Sequence, residues 1–173
     1  MEAHQLINSS ANQDWCTPPW VIAMARNVMG SIDLDPASSW EANAIVDAKD
    51  YFATFGLEQA WAVGQPGNVW CNPPYGKVGG KSGAGIWLTR MRKAYASKEI
   101  KQGMILLNAS IGDAWFREVW HHPVVLLHKR LRFSRPDGTP GPSPTKGNAL
   151  VYFGRRQEKF RRVMGMYGKV VMP

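Results

Sequence analysis

Val69-Trp70-Cys71-Asn72-Pro73-Pro74-Tyr75-Gly76 decides how this chain is read. Val-Trp-Cys is short and apolar, the pattern of a buried strand. The double proline ends it, because neither ring nitrogen carries a hydrogen for a further ladder bond. Past the strand stand the Asn72 carboxamide, proline carbonyls and the Tyr75 ring. A carboxamide oxygen and a proline carbonyl can both accept from one amino group. An aromatic ring beside them can lie on the flat face of a base, a contact worth roughly 1–3 kcal/mol. The set suits an exocyclic amine on a planar ring, held still while it attacks an electrophile.

Asn72-Pro73-Pro74-Tyr75 resembles the catalytic motif of amino-methyltransferases that use S-adenosylmethionine. That group also holds enzymes acting on the glutamine amide of release factors or on guanine amines in RNA. Two upstream stretches bear on the choice. Thr17-Pro18-Pro19 opens the run from Trp20 to Gly30. It predicts a helix with Thr17 as N-cap, the prolines in the first turn and Gly30 as the stop. Thr-Pro-Pro before a helix also resembles the segment that touches the amino-acid end of the cofactor in many DNA adenine methyltransferases. A hydroxyl and a free helix N-terminus suit a carboxylate.

Ser31-Ile32-Asp33-Leu34-Asp35-Pro36-Ala37-Ser38 reads as a short strand running into a proline-broken loop. Packing gives little reason for two carboxylates near a strand's carboxyl end. Ribose hydroxyls or an ammonium group give one. The usual Gly-rich loop of nucleotide-binding α/β folds is missing. In this the chain is similar to the small phage and prophage DNA adenine methyltransferases, the Dam-like phage family, where an acidic loop ending in Ala-Ala or Ala-Ser replaces it. Asn43, Asp50-Tyr51-Phe52, Gly56-Leu57 and Trp61 fall where that family has Asn, Tyr-Phe-Thr, Gly-Leu and Trp. The resemblance covers about residues 14–154, and only about 35 residues separate the acidic loop from Asn72. No target-recognition domain fits in that gap.

The resemblance implies S-adenosylmethionine as cofactor, held by Thr17, Pro18, Asp33, Asp35, Pro36, Ala37 and Asn43. It implies catalysis by Asn72, Pro73, Pro74 and Tyr75 on an adenine flipped out of double-stranded DNA. It also implies the cytoplasm of a phage-infected or prophage-carrying bacterium.

Gly76 to Gly85 is a basic, Gly-rich loop. Its Gly-Lys-Ser lacks the full Walker spacing and does not directly follow a strand, which argues against a triphosphatase. A lid beside the site, with Lys77 and Lys81 near DNA phosphates, is the better reading. Ile86 to Ser97 predicts a helix with Ile86, Leu88, Met91 and Tyr95 toward the core. Met104 to Ser110 predicts a buried strand with a polar end, and Asp113 to Trp120 a short helix. Val124–Leu127 and Ala149–Phe153 predict two strands. Between them lie Arg130-Leu131-Arg132-Phe133, where either Arg130 or Arg132 with Phe133 resembles the family's Arg-x-x-Phe pattern, and an irregular loop with four prolines.

Strands alternating with helices predict an α/β fold with a mostly parallel sheet. With the resemblance this becomes a Rossmann-like S-adenosylmethionine-dependent methyltransferase fold with helices on both faces. One domain over 1–173 is expected, with a loose arm at 1–13 and a basic tail at 155–173. The 173 residues, 45% of them hydrophobic, suit one domain with a proper core. No apolar run reaches the length of a membrane span, and no signal peptide is seen. Cys16 and Cys71 form neither a disulfide framework nor a metal-ligand spacing, and a reducing cytoplasm is the default. His4, His121, His122 and His128 lack metal spacing as well, so neither metal nor membrane is expected.

Charge is unevenly spread. Residues 1–127 hold 10 Lys and Arg against 11 Asp and Glu, a net of −1. Residues 128–173 hold 11 against 2, a net of +9. Such a region favours polyanions through phosphate contacts and counterion release. The expected function is therefore site-specific methyl transfer to the adenine amine of DNA. The residues alone leave open transfer to RNA, to a cytosine amine or to a protein amide, and a catalytically silent nucleic-acid-binding protein. They do not give the oligomeric state.

Overall fold

Asn68–Cys71 forms strand β3, buried at every position. It lies between β1 (Leu34–Asp35) and β6 (Gln102–Asn108) and pairs in parallel with both. A strand covered on both faces needs an unbroken apolar run, which Val69-Trp70-Cys71 supplies. Its pairing with β6 ends at Cys71 opposite Ile105. The next β6 carbonyl, that of Leu106, accepts the Tyr75 hydroxyl at 3.0 Å in place of a ladder N–H.

The computed structural model describes residues 15–173, so the arm expected at 1–13 lies outside the described residues. Among these, the main sheet has seven strands in the order β2-β1-β3-β6-β8-β7-β9. Here β2 is Asp50–Tyr51, β7 Val124–Leu127, β8 Asn148–Phe153 and β9 Gly168–Val171. The strands β2, β1, β3 and β6 are parallel, β8 runs against β6 and β7, and β9 runs against β7. Five strands thus share a direction and two oppose it, a mixed α/β sheet that is mostly parallel.

Strand alternation sends successive side chains to opposite faces. Trp70, Met104, Leu106, Leu150 and Tyr152 pack on α1 (Pro19–Met29), α2 (Trp40–Val46) and α4 (Gln157–Met164). Val69, Cys71, Ile105, Leu107 and Val151 pack on α3 (Gly83–Ala96) and on the 3-10 helix Ala114–His121. Helices therefore cover both faces. In α3, Leu88 and Met91 are buried as expected, Ile86 and Tyr95 are half-buried, and Trp87 joins the core.

The stretch expected as a basic tail folds as α4 and β9. Phe160, Val163 and Met164 recur at helical spacing and are buried, and β9 extends the sheet along β7. Charge dominates that stretch of sequence, yet three apolar side chains decide its place. No described helix is long and apolar enough to cross a membrane.

The carboxyl end of α1 is held by buried polar groups and by the exposed Arg156. Gln102 donates to the Met29 carbonyl and to Asn68 Oδ1, both at 2.9 Å, and accepts from the Tyr152 hydroxyl at 2.7 Å. Arg156 donates to the carbonyls of Val28 and Met29, each at 3.2 Å. Gln102→Met should strand the Asn68 oxygen, at about 1–3 kcal/mol for a buried group left unpaired, and take the acceptor from the Tyr152 hydroxyl, which keeps the Arg156 amide as donor. Urea unfolding checks this. Adding Tyr152→Phe to that variant should cost less than Tyr152→Phe alone, since the hydroxyl it removes has already lost its acceptor.

Candidate active site

The order of strands turns back between β1 and β3. From β1 the chain goes to β2 on one side and then returns to β3 on the other. A crevice opens outside the carboxyl ends of the strands at such a switch point. Here it is a cavity of about 560 Å³. Ligand pockets typically run to about 300–1,000 Å³. Asp35 at the end of β1, Asn72 just past β3 and Asn108 at the end of β6 all line it.

Asn72 is clamped at both ends of its amide. Its Nδ2 donates to Thr17 Oγ1 at 3.2 Å, and its Oδ1 accepts from the Tyr75 hydroxyl at 3.0 Å. An amide oxygen has two lone pairs, so one acceptor position remains. The Pro73 carbonyl accepts no hydrogen bond among the described residues. Tyr75 shares its single proton between Asn72 and Leu106 and lends its ring to the cavity wall. Burial, then the neighbouring Cys71, pushes its pKa up, so the phenol stays protonated.

Thr17 is not the N-cap of α1. That position falls to Pro18, which makes no side-chain cap bond. A residue before proline is pushed out of the helical region, and Pro18 has ψ of 133°. The helix therefore starts later, and the Thr17 hydroxyl is left for Asn72.

Asp35 is 2% exposed. Its carboxylate accepts from the Ala37 amide at 3.1 Å. Burial outweighs that bond and pushes the carboxyl pKa up to about 7. Burial first, and then the Asp35 charge, raises the Cys71 thiol, which stays uncharged. The lining includes Thr17, Asp35, Pro36, Ala37, Asn72, Pro73, Pro74 and Tyr75.

Asp33, Pro18 and Asn43 are not among the lining residues. Asp33 is used in packing. It pairs with Lys49 at 2.7 Å and accepts from the Asn68 amide at 2.8 Å. Burial pushes its pKa up, but those bonds outweigh it and hold the carboxyl below the usual range. The side chain of Asn43 donates to the Ala48 carbonyl at 3.3 Å and accepts from the Ala48 amide at 3.0 Å, closing the end of α2.

Several wall residues carried no functional role in the sequence reading. Phe52, Phe55 and Glu58 come from the segment between β2 and β3, and Asn108 and Asn148 from facing ends of β6 and β8. That segment is pinned by Trp61. Its indole donates to the Gly56 carbonyl at 2.7 Å, and it lies under Arg90, which is paired with Glu99 at 2.7 Å. Phe133, Pro144 and Lys146 form another wall. The Cys16 amide donates to the Ser134 carbonyl at 2.8 Å and ties the Trp15–Thr17 segment to that wall. Arg130 donates to the Pro144 carbonyl at 3.2 Å and Arg132 to Ser143 Oγ at 3.3 Å. The polar end of β6 was visible in the sequence. The other walls depend on contacts between distant segments.

Among the described residues no group of His, Cys, Asp or Glu is placed to hold a metal ion. A family model described as DNA N-6-adenine-methyltransferase (Dam) matches residues 5–164. No curated protein and no solved structure matches the chain.

Asp35→Asn should stabilise the ligand-free protein at neutral pH. An unfolded Asp ionises near pH 4, at about 3.9. The folded carboxyl holds its proton until about 7. Wild type therefore loses stability relative to the variant as pH rises from about 4 to about 7, and the gap is level above that. At its fullest the gap is on the order of 4 kcal/mol. Urea unfolding at acid and alkaline pH measures it. An equal difference at both would mean that folding leaves the Asp35 pKa unshifted.

Proposed function

Because the chain belongs to the DNA N-6-adenine-methyltransferase (Dam) family, we propose that its cavity takes S-adenosylmethionine at Asp35 and a flipped-out adenine at Asn72. Methyl transfer to the adenine amine at specific sites in DNA follows. The observation that carries this reading is the clamped Asn72 oxygen beside a Pro73 carbonyl without a described donor, on the wall that also holds Asp35.

The residues present fit the cofactor. Among the described residues the buried Asp35 carboxyl is compensated by neutral hydrogen bonds alone, so a cationic group beside it would relieve its burial. Thr17, Pro36 and Ala37 share that wall, and Phe52 and Phe55 offer apolar rings. When bound, S-adenosylmethionine supplies an electrophilic methyl group on a sulfonium centre.

The chain's own residues act on the amine. An adenine amine is a poor nucleophile, because its lone pair is delocalised into the ring. Accepting its two hydrogens at Asn72 Oδ1 and at the Pro73 carbonyl draws the nitrogen toward tetrahedral geometry and localises that pair. Tyr75 positions the carboxamide through its hydroxyl and offers its ring as a stacking face. The base must first leave the duplex, at a cost of roughly a few kcal/mol. Alignment of amine and methyl group is the main contribution of the protein.

Labelled-cofactor transfer to DNA, RNA and protein in parallel, followed by mapping of the modified base, tests the reading. N6-methyladenine in DNA is expected. Asn72→Ala should lower turnover by on the order of 100-fold. Tyr75→Phe should lower it less, since the carboxamide keeps its Thr17 bond while losing its second anchor. Cofactor affinity should change little in either. By calorimetry, Asp35→Ala should weaken cofactor binding and Asp33→Ala should not. Wild-type affinity should rise with pH up to about 7, as Asp35 ionises. Near-normal turnover in Asn72→Ala would sink the mechanism.

A further inference from the structure

The segment after the Asn72–Tyr75 turn is a built projection. Lys77–Val78 and Lys81–Ser82 form β4 and β5, an antiparallel ribbon with Lys77 opposite Ser82 and Val78 opposite Lys81. Gly79 and Gly80 close it with φ of +54° and +77°. Two successive positive values are the mark of the turn that matches ribbon twist. A Cβ on either glycine would meet nothing within 4 Å, so the tip stands in open space.

The base of the ribbon is fixed. The Gly83 amide donates to the Gly76 carbonyl at 2.8 Å, and a side chain at Gly83 would collide with that carbonyl and press on Pro74. Ser82 accepts from the Gly85 amide at 3.4 Å and caps α3. Pro74, Tyr75 and Trp87 line the cavity, so the ribbon rises from its rim. Directly opposed residues share a face, and neighbours along a strand do not. Lys77 and Ser82 thus lie on one face, and Val78 and Lys81 on the other. Both lysines are exposed, and neither joins an ion pair among the described residues.

We propose that this ribbon enters a groove of duplex DNA beside the extruded base, with Lys77 on the phosphates of one strand and Lys81 on those of the other. The inference rests on the methyltransferase reading of the cavity. A major groove, about 12 Å wide, admits a two-stranded ribbon. Its two walls are phosphate backbones, so a body inside meets negative charge on both sides. One lysine on each face answers that arrangement, and a Gly-Gly tip lets the backbone come close to the bases.

Lys146 of the basic stretch 128–173 lines the cavity, but several other cations of that stretch are engaged or lie elsewhere. Arg156 holds the end of α1. Arg155 follows β8, which runs from Asn148 on the cavity wall to Phe153 at the other end of the sheet. Arg161 is paired with Glu158 at 2.7 Å.

The test is fluorescence anisotropy of the full chain with a labelled duplex and with its single strand, over a salt series. The double variant Lys77→Gln, Lys81→Gln should flatten the duplex salt slope by about two units, at ~0.9 for each phosphate contact. A lone strand can engage one lysine, so its slope should fall by about one unit at most. Arg155→Gln should leave the duplex slope unchanged. If the double variant flattens the duplex slope no more than the single-strand slope, the proposal is overturned. Methyl transfer is scored separately. Failure of the wild type to methylate DNA defeats the cavity reading, and the salt slopes still report on the ribbon.

Discussion

Two imino nitrogens without hydrogens govern this molecule. Pro73 and Pro74 stop β3 while its neighbour β6 runs on to Asn108. The β6 carbonyl just past the last pair is that of Leu106, and the Tyr75 hydroxyl takes it. The same hydroxyl holds Asn72. The end of one ladder therefore fixes the orientation of the carboxamide. It also leaves the Pro73 carbonyl without a described donor and sends the chain out at Gly76 as a ribbon. A residue with an N–H at position 73 would let the ladder continue and remove the reason for the clamp.

The two ends of the sheet treat buried polarity differently. At the end away from the cavity, Gln102, Asn68, Tyr152 and Arg156 satisfy one another and the last carbonyls of α1. Such a network stabilises because its members find partners. At the cavity end Asp35 is buried with only neutral donors among the described residues, and its pKa rises to about 7. A group that lowers stability when the protein is empty suits a place where a ligand supplies the missing charge.

Net charge alone does not say what each cation does in this fold. Part of the positive excess supports the fold, as Arg156 does at α1 and as Arg130 and Arg132 do along the cavity wall. The two lysines of the ribbon belong to residues 1–127, which carry a net of −1. The proposed groove contact rests on their exposure on an anchored ribbon.

The sequence by itself determined features that depend on neighbours along the chain. A proline cannot donate, so β3 had to end at its double proline. An apolar run without alternation had to be covered on both faces. The identities of Asn72 to Tyr75 carried the chemistry of two acceptors and a ring. Tertiary structure alone decided which residues meet. Local rules made Thr17 a helix cap, yet its hydroxyl accepts directly from the Asn72 amide. Asp33 and Asp35 looked equivalent two residues apart, but Asn68 and Lys49 claim the first and the cavity receives the second. Residues 155–173 read as charge, whereas Phe160, Val163 and Met164 bind them into the core. The reason is the order of the strands. It brings segments far apart in sequence to the carboxyl ends of β1, β3 and β6, and no local propensity encodes that meeting.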